Sequence, residues 1–103
     1  TTDRAIELSQ RAIKLNDRAF PAYLVLARAN VAEGLAPEAR KVLARAAELQ
    51  PDPVWLAEIV AQNGATWESE GKTEAAIGAY RRALAIYPAN QTAREALARL
   101  VPR

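Results

Sequence analysis

The chain has 103 residues, half of them hydrophobic and a quarter charged, with a net charge of +2, a composition that belongs to a folded protein and leaves room for one small domain. It contains no cysteine, histidine or methionine, which excludes disulfides, thiolate chemistry, imidazole bases and the usual zinc sites. Acids and bases are interspersed and no apolar run approaches the ~20 residues that span a bilayer, so the expectation is a soluble protein, cytoplasmic by preference, without cofactor, metal, nucleic acid or membrane insertion.

In chain order, apolar spacing predicts helices over residues 3–16, 20–33, 36–49, 53–70, 73–86 and 90–100. The first carries Ile6, Leu8 and Ile13 on a wide apolar arc. Gly34 is placed to end the second in a left-handed conformation, and Pro37 to begin the third, which Pro51 closes. Asp52 followed by Pro53 is a strong helix start, an N-cap acceptor with proline in the first turn. Within that fourth helix, Asn63-Gly64 is a hairpin signal, but its flanks do not alternate, so it is read as helical. Gly71 ends the fourth helix, Thr73 begins the fifth, and Pro88 closes it. The last helix is capped by Asn90 and stopped by Pro102, with Ala93, Ala96, Leu97, Leu100 and Val101 on one apolar stripe.

These elements repeat. Ala5, Ser9, Ala12, Leu15 and Asp17 recur as Ala39, Leu43, Ala46, Leu49 and Pro51, and again as Ala76, Tyr80, Ala83, Ile86 and Pro88. Likewise Tyr23, Ala27, Asn30 and Gly34 correspond to Val60, Gly64, Trp67 and Gly71. Three extra residues fall between Pro51 and Val60 and make about one added helical turn, holding Pro53, Val54, Trp55 and Leu56.

The pattern resembles the tetratricopeptide repeat, whose signature is W-x2-L-G-x2-Y, then A-x3-F, then P. Tyr23, Leu26, Ala27, Asn30, Ala39, Leu43, Ala46 and Pro51 carry one unit; Val60, Asn63, Gly64, Trp67, Ala76, Tyr80, Ala83 and Pro88 carry the next. The resemblance implies an all-α, right-handed α-α superhelix of about two and a half helix pairs. It divides residues 1–103 into a half repeat at 3–16, a repeat at 20–49, a repeat with an extra turn at 53–86 and a capping helix at 90–100. Small residues let helices approach, and Tyr23, Trp67 and Tyr80 are expected in the core between them. Asn30 stands in place of the family's tyrosine and Asn63 in place of its leucine, while Ser9 and Asp17 weaken the first unit.

Family members bind partner segments on the concave face. By repeat position, the partner-binding residues expected here are Leu24, Arg28, Val31, Glu58, Gln62, Ala65 and Glu68, with Val25 and Arg99 nearby. The lysines and asparagines with which one subclass grips a C-terminal carboxylate are absent from those positions. Trp55, in the added turn, either anchors a partner or forms a local lid. Glu68, Ser69 and Glu70 give no catalytic constellation, and Arg81-Arg82 reads as a solvated face. The expectation is therefore a non-enzymatic module for a protein or peptide partner, an adaptor or scaffold domain. The alternative is a structural assembly element, with homo-oligomerisation through the first helix, whose arc lacks a partner. With no initiator methionine, the sequence is expected to be a processed form or a piece of a longer protein.

Overall fold

The structure, a computed structural model, describes residues 1–102. Among them it has six α-helices and no strand: α1 (Thr2–Leu15), α2 (Phe20–Ala32), α3 (Ala36–Glu48), α4 (Pro53–Ser69), α5 (Thr73–Ile86) and α6 (Gln91–Leu100). They are the six expected from the sequence, with ends moved by one residue at most. Asn63 and Gly64 lie inside α4, as the non-alternating flanks required.

Local chemistry sets the boundaries. Asp52 Oδ1 accepts from the backbone N–H of Trp55 at 3.1 Å, and Asn90 Oδ1 accepts from that of Ala93 at 2.8 Å, so two helix N-termini have an orphan donor satisfied. Gly34 and Gly71 take φ of 78° and 76°. Beyond them the N–H of Leu35 donates to the carbonyl of Asn30, and that of Lys72 to Trp67, the six-to-one bond that closes a helix C-terminus. At the end of α3, Arg18 Nη1 donates to the carbonyl of Leu49 at 2.8 Å and ties the α1–α2 turn to it.

The helices form two layers. In the inner layer α4 packs against both α2 and α6; the outer helices α1, α3 and α5 do not touch one another, each packing on its inner neighbours. A layer that packs closely on one side and spreads on the other must curve, and this is the α-helical repeat superhelix. The first core gathers Ile13, Phe20, Tyr23, Leu26, Leu43 and Ile59. The second, built from Ala57, Val60, Ala61, Ala76, Tyr80, Ala83, Ala93 and Ala96, is mostly alanine. That choice brings backbones close: a Cβ on Gly64 would sit 3.0 Å from Tyr80 Cε1 and 3.2 Å from the Ala76 carbonyl.

Two expectations about packing are corrected. Trp67 is half-buried rather than enclosed. Cations stand over Trp67 where apolar side chains were expected: the Arg40 guanidinium carbon lies 3.8 Å from its ring centroid and Lys72 Nζ 5.1 Å. The arc of α1 is also less bare than expected. Ile13 is buried and Ile6 packs against the first core, because α2 covers them; Leu8 and Leu15 stay exposed.

Two glycines in helix interiors should respond in opposite directions. Gly64→Ala forces methyl volume against Tyr80, which is buried and cannot retreat, and should destabilise by about 1–3 kcal/mol. Gly78→Ala in α5 meets nothing within 4 Å and should stabilise by about 0.5–1 kcal/mol through helix propensity. Urea unfolding followed by circular dichroism measures both.

Candidate functional site

The inner layer presents a cleft between α2 and α4. Four of the residues expected there meet around it: Arg28 and Val31 from α2, Gln62 and Ala65 from α4. Residues 28 and 31 share a helix face, as do 62 and 65, and the packing of α2 on α4 sets those faces side by side. The cleft has a volume of about 330 Å3. Spacing alone did not point to Ala27, Ala32 and Thr66, which complete its walls. The signal was their size, because only small side chains leave a hollow where two helices cross.

The walls are apolar in character, and the polar groups near them are mostly engaged. Thr66 Oγ1 donates to the carbonyl of Asn63 at 2.6 Å and accepts from Arg40 Nη1 at 3.3 Å. Gln62 Nε2 donates to Glu58 at 2.8 Å. Arg28 differs: it is exposed and forms no ion pair among the described residues. An unpaired guanidinium beside an apolar hollow is suited to a ligand with an apolar group near a carboxylate.

The other expected site residues lie elsewhere or are occupied. Leu24 shares the helix face of Arg28 and Val31, one turn nearer the start of α2, but is buried in the first core and lines no part of the cleft. Glu58 accepts from Gln62, from Asn90 Nδ2 at 3.0 Å and from Thr92 Oγ1 at 3.0 Å. Glu68 accepts from Tyr80 Oη at 2.8 Å and pairs with Arg99 Nη1 at 2.6 Å. Both carboxylates thus fasten α6 to α4. Trp55 stands 6.0 Å from Phe20, centroid to centroid, and packs against the first core while staying half-buried. Val25 is exposed but does not line the cleft.

The Glu68 cluster is the electrostatically perturbed part of the molecule. The Arg99 guanidinium, aided by the Tyr80 hydroxyl, holds the Glu68 carboxyl below its usual range against the opposing effect of burial. Burial, reinforced by the carboxylate it faces, pushes the Tyr80 phenol above its own. Among the described residues no group of three side chains is arranged to hold a metal ion, and no helix is long and apolar enough to cross a membrane.

Comparison with known proteins agrees with this architecture. The family model of the tetratricopeptide repeat matches residues 1–62. Twelve chains of solved structure match; one of them, the Arabidopsis OM64 TPR domain, superposes with a TM-score of 0.74 at 25% identity, over 97% of this chain and 80% of that one. No curated protein matches the sequence.

Glu68 should impose an acid limit on stability. Its folded pKa is depressed, so its contribution is full above the unfolded carboxylate value of about 4.3 and is lost as pH falls through the lower folded value. Melting temperature should therefore drop in that window, and Glu68→Gln should flatten the drop. In Arg99→Ala the Glu68 carboxyl should titrate at higher pH, as read by carboxyl-carbon NMR. Tyr80→Phe should cost about 1–2 kcal/mol at neutral pH from the lost hydrogen bond.

Proposed function

The chain belongs to the tetratricopeptide repeat family, and on that premise we propose that it is a non-catalytic interaction module that takes a partner segment into the cleft between α2 and α4. The observation that carries this reading is Arg28, exposed and unpaired among the described residues, at the edge of a hollow whose walls are Val31, Ala65 and their small neighbours. A segment with one apolar side chain and a nearby carboxylate matches it in shape and charge. The hollow of about 330 Å3 seats a single large apolar side chain, so affinity should be micromolar in order. Glu68 is offset by Arg99, and Glu58, which keeps its charge because its partners Gln62, Asn90 and Thr92 are neutral, does not line the hollow.

The reading is tested with peptides selected from a random library on the wild-type protein. Arg28→Glu should abolish binding of the selected peptides with little change in melting temperature, because the side chain supports nothing in the fold. Ala65→Trp should also abolish it by filling the hollow. Peptides that bind both variants as well as wild type would rule the cleft out, and a large fall in melting temperature for Arg28→Glu would make Arg28 a structural residue.

A further inference from the structure

The outer face carries a second groove, independent of the inner cleft. It lies between α1 and α3, which do not touch, and its volume is about 750 Å3. Ile13 of α1, Leu26 of α2 and Val42 of α3 give it an apolar floor, and Asn30 of α2 completes that floor. In the repeat pattern Asn30 replaces a tyrosine, so a bulky ring is missing from the lining of the groove.

Asn30 is only 8% exposed, and its side-chain amide makes no hydrogen bond among the described residues. Yet no fully enclosed side-chain nitrogen or oxygen lacks a partner there. The Asn30 amide is therefore open, and it opens into the groove that it lines. Four cations, Arg11, Lys14, Lys41 and Arg45, stand around this floor against two carboxylates, Glu7 and Glu38. One of those carboxylates is loosely paired, Lys41 Nζ to Glu38 at 3.5 Å, and Arg11 and Lys14 have no ion pair among the described residues.

We propose that this groove binds an extended acidic peptide segment, with one apolar side chain on the floor and a peptide group paired to Asn30. An amide offers a donor and an acceptor side by side, which is what a peptide bond complements. In a helical ligand those backbone groups are already bonded to each other, so the segment must be extended. The excess of cations around the floor selects carboxylates on either side of the apolar residue. Residues 7–14 of α1 run along the groove for roughly 10 Å at ~1.5 Å per residue, which is the length of about three extended residues. An apolar residue between two acidic ones is the motif that fits.

The probe is a blocked peptide of glycine and serine with Asp-Leu-Asp at its centre, titrated into the labelled protein and followed by amide NMR, with Lys-Leu-Lys in the same frame as control. Resonances of Ile13, Asn30 and Val42 should shift with the acidic peptide and not with the basic one. Lys14→Glu, at an exposed position, and Asn30→Tyr, which refills the groove, should each raise Kd by roughly tenfold or more. Because a segment of the same chemistry is proposed for the inner cleft, Kd for this groove is read at Ile13 and Val42, which line it alone, and shifts at Gln62 and Ala65 report the cleft separately. Equal binding of the two peptides, an unaltered Kd in Lys14→Glu, or shifts confined to Gln62 and Ala65 would each overturn the proposal.

Discussion

Helices can pack at the short end of the usual 8–10 Å separation only where the residues between them have almost no side chain. In this molecule that requirement is met most fully between α4 and α5, where Ala57, Ala61 and Gly64 face Ala76, Ala83 and the ring of Tyr80. The rest of the C-terminal half follows from that contact. It lays the Tyr80 ring under Gly64 and delivers its hydroxyl to Glu68, whose other oxygen takes Arg99 of α6. Nearly three turns of helix away, Glu58 collects Asn90 and Thr92 from the start of α6. The capping helix is therefore held at both ends by carboxylates of α4, over an alanine floor too small to anchor it by hydrophobic area alone.

The elements were legible in the sequence because their signals are local. Proline, glycine and Asx residues mark boundaries through their own backbone preferences, and the repeat of small and apolar positions gives the packing face of each helix. Half of the cleft was legible for the same reason: Arg28, Val31, Gln62 and Ala65 are where their helix faces require. What repeat position cannot encode is the partner of a side chain. Glu58 and Glu68 lie on the inner side of α4 as expected, but they are bonded to residues more than thirty positions away on α6, and nothing in their spacing signals this. Leu24 shows the coarseness of a face. It lies on the same face as Arg28 and Val31, four and seven residues before them, yet at that end of α2 the face is covered by the first core, so position along a helix decides exposure as much as position around it.

Trp67 illustrates a related effect. Its repeat position is one of packing, yet the chain supplies Arg40 and Lys72 as its neighbours, and Arg40 is itself held by Glu70 at 2.8 Å. Besides the apolar packing of Ile59 in the first core, the contact between the two repeats thus includes an ion pair stacked on an indole, a more polar element than the alanine seam one helix further along. Polar joints of this kind are weaker and more salt-dependent than apolar ones, so the two seams of the stack differ in stiffness.

That the outer helices α1, α3 and α5 never meet has a mechanical consequence. A stack whose close contacts all lie on one side would respond to load as a leaf spring does, since a change of curvature separates no close outer contact. The inner cleft and the outer groove lie on opposite sides of the neutral layer of that spring, with α2 contributing to both. A bend that tightens one slackens the other. Occupants of the two faces would then sense each other through curvature alone, an antagonism without any shared atom, and the softer joint at Trp67 is where the flexing would concentrate.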